Sequence, residues 1–175
     1  MLEENGQNRI IVYPGANMKI ERSELKRAFS REYDALLLQL EIDDDIVIEA
    51  CNLDRERNIP VVLDTGPARS FPLEKIQGLE ILSPNETEAR ALTGIKVETR
   101  TDVLNAAQKL TEKSKARYIV IKMGEKGAFL YNEQAEEKLL HFPGYQVEAV
   151  DTTAAGDAFT AAMTLDYLRN GGNLK

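Results

Sequence analysis

Residues 151–157 are the strongest candidate for a reactive site in the chain, and their sequence is Asp-Thr-Thr-Ala-Ala-Gly-Asp. They lie between a predicted strand and a predicted helix, with Ala154, Ala155 and Gly156 where that helix begins. Small side chains at a helix N-terminus let a ligand reach the backbone N–H groups, and the helix dipole favours an anion there. Asp157 in the first turn could then accept a proton from a hydroxyl group that attacks the anion. A tight strand-to-helix turn, with Asp157 only complementing the dipole, fits the spacing equally well.

A glycine-containing stretch follows another predicted strand. It consists of Lys122, Met123, Gly124, Glu125, Lys126 and Gly127. Two glycines three residues apart would let a loop pass over a nucleotide, but a hairpin turn uses glycine in the same way. The hairpin is the favoured interpretation of this stretch alone, because its spacing matches neither a P-loop nor the GxGxxG fingerprint.

Asn85 and Glu88 open a predicted helix directly after Ser83-Pro84. An amide and a carboxylate one turn apart share a helix face and could hold a hydrated Mg²⁺ beside phosphate oxygens. An asparagine N-cap with glutamate at the third helical position also matches a capping box in all but the cap residue. Capping is the favoured interpretation when this motif is taken alone.

Two further carboxylates, Glu41 and Asp64, each close an apolar strand. Ligands of open α/β sheets bind at the carboxyl ends of the strands, so both residues are candidates for ligand contact. His141 and Cys51, the single histidine and cysteine of the chain, are expected only to fill space. The acidic run at residues 43–45 is expected to be a solvated helix start.

Composition narrows the class of protein further. The 175 residues are enough for one domain, and 43% hydrophobic with 29% charged residues is typical of a globular chain. A net charge of −7 argues against a nucleic-acid or acidic-membrane partner. One cysteine excludes an intrachain disulfide, and no apolar run reaches membrane-spanning length. These features predict a cytoplasmic protein.

The pattern of apolar residues predicts the elements that position these groups. The predicted strands cover residues 9–13, 34–41, 59–63, 79–82, 118–122, 128–131 and 139–142, with residues 145–150 extended. The predicted helices cover residues 23–32 with Ser23 as cap, 43–58, a weaker one from about 72, 85–92 closed by Gly94, one capped by Thr101, and 157–169. Strand and helix alternate from residue 34 to residue 122, which predicts parallel βαβ units and a layered α/β sheet. The strands after residue 128 are expected to form an antiparallel edge.

Together the motifs resemble the PfkB/ribokinase family of carbohydrate kinases. Residues 85–88, 122–127 and 151–157 occur in the order and approximate spacing of that family. Three shorter stretches are similar to its ribokinase members, namely Pro-Gly-Ala-Asn at 14–17, Leu-Gln-Leu-Glu at 38–41 and Pro-Asn-Glu-Thr-Glu-Ala at 84–89. The resemblance covers essentially the whole chain. It implies a ribokinase-like α/β/α fold with a mostly parallel sheet and an antiparallel edge.

The resemblance also implies a reaction, the transfer of the γ-phosphoryl group of ATP to a sugar hydroxyl, with ribose as the sugar. Asp157 would be the general base, and Ala154, Ala155 and Gly156 would form the anion hole that stabilises the transferring group. The anion hole reads Ala-Ala-Gly here, where much of the wider family has Gly-Ala-Gly. Fructokinase-like and adenosine kinase-like substrates are the alternatives within the family.

Ligand contacts follow from the same resemblance. Asn85 and Glu88 would organise Mg²⁺ and its waters, and Asn85, Gly156 and residues 122–127 would contact the nucleotide. Glu41 matches the family's sugar-contacting glutamate, beside Asp157.

Asp151 and the carbonyl oxygen of Thr153 match part of the family's K⁺ site. The expected partners are therefore a small sugar and ATP, with Mg²⁺ and K⁺ as cofactors.

Family members extend further at both ends than these 175 residues. The chain is therefore expected to be a single, partial nucleotide-side core, with residues 1–17 as a remnant of the lid and sugar-side region. Asn5-Gly6 is a hairpin signal with only residues 1–4 available for its first strand, which supports truncation. A different class of function stays open, a catalytically silent core that at most binds nucleotide and covers its sheet edges as a homodimer.

Overall fold

A six-stranded sheet forms the centre of the molecule. The computed structural model describes residues 11–76 and 78–174, without the side chains of residues 54–56. The strands are β1 (Leu36–Leu38), β2 (Val61–Asp64), β3 (Ile81–Ser83), β4 (Tyr118–Lys122), β5 (Ala128–Tyr131) and β6 (Leu139–Phe142), and they lie side by side in that order. The first four are parallel, and β5 and β6 add an antiparallel edge. This is the sheet that the alternation of elements predicts.

Helices lie on the two faces of this sheet. They are α1 (Arg22–Ala28), α2 (Asp44–Arg57), α3 (Glu86–Thr93), α4 (Arg100–Ser114) and α5 (Ala155–Arg169). Alternate strand residues point to opposite faces, so Leu63 and Leu82 join the larger core that holds residues of α2, α3 and α4. Val62 and Ile81 join a smaller core with Tyr167 of α5. No helix within the described residues is long and apolar enough to cross a membrane.

Local capping signals explain where α3 and α4 begin and end. Asn85 caps α3 by accepting a hydrogen bond from the Glu88 N–H, and Gly94 closes it in the left-handed conformation, as predicted. The predicted cap of α4, Thr101, is wrong. Thr99 caps that helix in a reciprocal pair with Asp102, because a capping box needs the acidic residue three positions after the cap.

The N-terminal segment differs from its prediction. Residues 11–13 are highly exposed and form no strand, while residue 9, residue 10 and the predicted Asn5-Gly6 hairpin lie outside the described residues. Helix α1 is capped by Glu21 rather than Ser23, because Glu21 and Glu24 form the capping box. The helix ends at Ala28 rather than at residue 32. The weak helix near residue 72 is a single 3₁₀ turn, Leu73–Lys75. Residues 145–150 are exposed and join no strand of the described sheet.

Helix α5 buries a face that consists of two threonines and a tyrosine. Its buried residues are Thr160, Thr164 and Tyr167. Phe159 and Ala162 are exposed, whereas Met163 and Leu168 are partly buried against the smaller core. Apolar residues occur all around α5, so periodicity does not select a face, and a polar contact of Thr160 with the sheet marks the side that is buried.

Candidate active site

The predicted site residues collect where the parallel strands end. Asp64 is the last residue of β2, Asn85 follows β3 and Lys122 is the last residue of β4. Asn85 and Lys122 pair through an isolated parallel bridge, and the N–H of Lys122 donates to the Pro84 carbonyl oxygen at 2.8 Å. The topology therefore places three separate sequence motifs on one edge of the sheet, the edge where open α/β proteins bind ligands.

The N-terminus of α5 has a backbone suited to an anion. Ala154 precedes the helix with φ 60° and ψ 11°, in the left-handed region that favours glycine. Its carbonyl oxygen accepts the Ala158 N–H at 3.0 Å, and the Ala155 N–H donates to the Thr152 carbonyl oxygen at 3.2 Å. The next N–H groups, those of Gly156 and Asp157, have no partner inside the helix because of helix geometry. Residues 151–159 are exposed, so a ligand can reach them.

Asp157 has one hydrogen-bond partner that the sequence did not reveal. Gln39, directly after β1, donates from Nε2 to Oδ1 of Asp157 at 2.7 Å. The contact joins residues 118 positions apart, and it engages one of the two carboxylate oxygens. Gln39 stands inside the stretch of residues 38–41 on which the family resemblance rests, and that was the available signal.

Glu41 lies beside a different feature, an open cleft of about 550 Å³. Pro14, Leu40, Pro67 and Arg69 share in lining this cleft, and Asp157 does not. The Glu41 side chain is exposed. Glu41 follows Gln39, the residue that bonds to Asp157, by two positions.

A buried polar cluster lies between the sheet and α5. The Lys122 ammonium donates to Oδ2 of Asp64 at 2.6 Å, and the hydroxyl of Thr160 in α5 donates to the same oxygen at 2.6 Å. Asp64 and Thr160 are buried, and Lys122 is partly buried. The sequence suggested ligand contact for Asp64 and for Lys122 separately. It did not point to Thr160, because a single threonine in an apolar helix does not indicate a functional site.

Asn85 and Glu88 form the capping box of α3, and Glu88 also contacts Thr65, the residue that follows Asp64. Oε2 of Glu88 accepts from the Asn85 N–H at 2.8 Å and from the Thr65 hydroxyl at 3.1 Å, and Oε1 accepts from Nδ2 of Asn85 at 2.7 Å. Burial raises the pKa of Glu88, against the opposing effects of the Asn85 N–H and the Lys122 charge. The structural role of this pair is therefore established by its hydrogen bonds.

The donor set limits how a metal could be held here. Within residues 11–76 and 78–174, no three His, Cys, Asp or Glu side chains cluster closely enough to form a metal cage. Both oxygens of Glu88 already accept hydrogen bonds from the protein. Mg²⁺ usually keeps several waters and binds phosphate oxygens with few protein ligands, so the residues fit a hydrated, nucleotide-borne Mg²⁺ rather than a dedicated cage.

The glycine-containing loop is the hairpin between β4 and β5. Gly124–Lys126 form a 3₁₀ turn, and the Met123 N–H donates to the Gly127 carbonyl oxygen at 2.8 Å. Gly127 has φ 89°, and a Cβ there would collide with the backbone of residues 142–144. Glycine at 127 is thus required by packing, while the exposed residues 124–126 could still border a nucleotide.

His141 makes a specific contact with the same loop, so the expectation that this residue only fills space is wrong. Its Nε2 lies 2.8 Å from the Lys126 carbonyl oxygen, and its ring stacks on Phe129 at 4.4 Å between centroids. Cys51 is buried, as expected of a residue that fills space.

Asp151 and Thr153 lie just before α5 and interact with each other. Oδ1 of Asp151 accepts the Thr153 N–H at 2.8 Å. Hydrogen bonds from Thr153, its hydroxyl first and its N–H second, hold the pKa of Asp151 below its ordinary value. The carboxylate is therefore ionised at neutral pH, as a cation ligand has to be.

An open, mostly parallel sheet with a helix N-terminus and a carboxylate at the strand ends defines a class of α/β proteins that bind phosphorylated ligands. The family model described as "pfkB family carbohydrate kinase" matches residues 1–175, and the chain belongs to that family. The resemblance stated from the motifs is thereby confirmed.

Individual relatives agree with this assignment. The ribokinase of Arabidopsis thaliana is 37% identical over 169 residues, which cover 94% of this chain and 44% of that protein. The deoxyribokinase of Salmonella typhi is 33% identical over 170 residues, which cover 95% and 54%. The solved structure of Arabidopsis thaliana ribokinase complexed with ribose and ATP superposes with a TM-score of 0.81 at 34% identity, covering 99% of this chain and 56% of that one. The fold is thus ribokinase-like, and the chain spans about half the length of these relatives.

Proposed function

We propose that this chain carries the nucleotide-side half of an ATP-dependent sugar kinase that phosphorylates a hydroxyl of ribose. The observation that carries the proposal is the position of Asp157, exposed in the first turn of α5 at the edge of the sheet that collects Asn85 and Lys122. Its support from outside the chain is a relative whose structure holds ribose and ATP.

The chemistry assigns one role to each group at the α5 N-terminus. The sugar hydroxyl oxygen attacks the γ-phosphorus of ATP, its proton passes to the Asp157 carboxylate, and the bond to the leaving ADP oxygen breaks. The N–H group of Gly156, presented by the turn that Ala154 and Ala155 form, stabilises the charge on the transferring phosphoryl group. Gln39 holds one oxygen of Asp157, so the other oxygen is the one that takes the proton.

The remaining contacts concern the nucleotide and its ions. Residues 122–127 border the nucleotide, and Asn85 and Glu88 hold the waters of a Mg²⁺ ion that the phosphates carry. When bound, that ion neutralises phosphate charge.

Two further residues complete the proposed ligand contacts. Asp151 and the carbonyl oxygen of Thr153 hold K⁺. Glu41, two residues after Gln39, contacts the sugar.

Ribose-dependent release of ADP tests the proposal. The purified chain is assayed with Mg·ATP and K⁺ beside two variants of the same helix, Asp157→Asn and the matched control Asp166→Asn. The carboxylate of Asp166 accepts a hydrogen bond from the Asn170 side chain. Activity that is retained in the control and falls at least about a hundredfold in Asp157→Asn supports the base. Equal activity in both variants contradicts it. ATP binding without sugar phosphorylation would indicate a core that binds nucleotide alone.

A panel of acceptors decides the substrate. Ribose, deoxyribose, fructose and adenosine are compared under the same conditions, because one relative is a deoxyribokinase. A preference for ribose in kcat/KM supports the proposal, and a preference for fructose or adenosine would replace ribose with that acceptor.

The Mg²⁺ contact has its own test. Glu88→Gln is expected to weaken the binding of Mg·ATP much more than the binding of metal-free ATP. Glu86→Gln, in the same helical turn and partly exposed, is the matched control. Equal losses for the two forms of ATP would remove Glu88 from the metal site.

A further inference from the structure

The ion pair between Lys122 and Asp64 spans a whole strand. Lys122 ends β4 and Asp64 ends β2, and β3 lies between them in the sheet. Neighbouring strands are about 4.8 Å apart, so the two backbones are separated by roughly 10 Å. The long lysine side chain therefore lies across β3, and its ammonium sits under α5, where Thr160 donates to the same carboxylate oxygen.

Ser83 is the residue that the pair passes over. It is opposite Asp64 in the parallel register of β2 and β3, and it lies on the same sheet face as Ile81, which packs toward α5. Its side chain is fully buried, and its Oγ has no hydrogen-bond partner in the part of the chain that the structure describes. A small residue here makes room for the pair, and an unpaired buried hydroxyl is expected to gain a partner when a ligand or a water enters.

The ammonium also lies next to the positive end of α5. A Cβ built at Gly156 would come within 4.0 Å of the Lys122 Nζ. Cations are unfavourable beside a helix N-terminus, and the carboxyl groups of Asp64 and Glu88 are the acidic groups that interact with the ammonium. The ammonium has three N–H donors, and among the described residues its hydrogen-bond acceptor is Asp64. Two of the three ammonium N–H groups therefore have no acceptor among the described residues.

We propose that the Lys122 ammonium is the charged group that binds the phosphate chain of the ligand at the α5 N-terminus, and that Asp64 and Thr160 are the positioning residues that hold it there. The inference rests on the proposed function for the identity of the anion, the triphosphate of a nucleotide. The anion contact itself can be tested without nucleotide or sugar.

Inorganic tripolyphosphate is the probe, and its binding to the full 175-residue chain is measured by titration calorimetry at fixed ionic strength. The decisive variant is the double change Asp64→Asn with Lys122→Met, because it removes the ammonium together with its counter-charge and so leaves the local net charge as it was. We expect its affinity for tripolyphosphate to fall at least about tenfold. Lys122→Arg is expected to recover part of the loss, since it restores the charge with a different shape.

The positioning residues are tested by a matched pair in one helix. Thr160→Val removes the hydrogen bond to Asp64, whereas Thr164→Val changes an equally buried threonine whose hydroxyl donates to the Thr160 carbonyl oxygen. We expect Thr160→Val to weaken tripolyphosphate binding about threefold or more, and Thr164→Val to leave it unchanged. A merely structural role would lower the thermal midpoint in both variants without separating their affinities.

The outcomes distinguish this inference from the kinase proposal. A double variant that binds tripolyphosphate as tightly as the natural chain would overturn the role of Lys122, and so would a natural chain that does not bind the probe. Equal affinities for Thr160→Val and Thr164→Val would overturn the positioning role. Loss of tripolyphosphate binding in the double variant, together with no sugar phosphorylation by the natural chain, would support the anion site and reject the kinase proposal.

Discussion

Replacing Lys122 by methionine is expected to destabilise the fold far more than replacing Lys122 and Asp64 together. The single change removes the charged partner of Asp64 and leaves a buried carboxylate with neutral donors, the Thr160 hydroxyl at 2.6 Å and the Gly66 N–H at 3.4 Å. The double change, with asparagine at 64, removes both charges and keeps side chains of similar length. The comparison therefore separates the cost of an unpaired buried charge from the cost of altered packing.

The structure sets the expected size of this effect. The side chains of Lys122 and Asp64 are 14% and 6% exposed. Breaking a fully buried ion pair costs about 3–5 kcal/mol, and the residual exposure places Lys122→Met near the lower end, at about 3 kcal/mol. Asp64→Asn keeps one oxygen for Thr160 and Lys122, and we expect it to cost about 1–2 kcal/mol. The double variant is expected within about 1 kcal/mol of the natural chain.

Urea denaturation followed by circular dichroism measures the three free energies of unfolding. The coupling between the two sites should be about 3–5 kcal/mol and should persist in high salt, since a buried pair is screened much less than an exposed one. Additive single changes, with coupling below about 0.5 kcal/mol, would refute the reasoning, because the pair would then behave as an exposed contact.

Three further expectations concern other groups of the site. Ala154→Gly should stabilise the fold by up to about 1 kcal/mol in urea denaturation, because glycine relieves the left-handed backbone there; a clear loss would contradict that strain. The pKa of Glu88 is raised above 4.5 by burial, so the folded chain holds a proton that the unfolded chain releases, and stability should fall as pH rises just above 4.5. Glu88→Gln should flatten that slope in denaturation curves taken across this range, and an unchanged slope would assign it to another group. Gln39→Leu should lower kcat about tenfold by freeing Asp157 while leaving the KM for Mg·ATP unchanged, and a change in that KM alone would reject the positioning role.

Much of the fold could be predicted because its signals are local. The alternation of apolar strands and helices sets the parallel order of β1 to β4, and the capping residues Asn85 and Gly94 fix the ends of α3. The errors at Thr101 and Ser23 arose because several residues near those helix starts have cap-forming side chains. The backbone selects the one that completes a reciprocal pair three positions on.

The site was predictable as a set of motifs, while its internal contacts were not. Family resemblance pointed to Asn85, Glu88, Lys122 and Asp157, and the fold brings the first three to one sheet edge. The bond from Gln39 to Asp157 joins residues 118 positions apart, and no local pattern encodes such a contact.

Most helices and strands, their order and the residue types at the strand ends follow from local sequence. The spacing of apolar residues and the pairing of capping residues involve only a few neighbouring positions. Tertiary structure decided which polar groups meet. Lys122 and Asp64 are 58 positions apart and pair across β3 because Ser83 is small and α5 covers them with Thr160. The buried face of α5 was decided the same way. Its apolar residues allow several faces, and burying polar atoms costs free energy unless they find partners, so the face that supplies Thr160 to Asp64 is the one that packs.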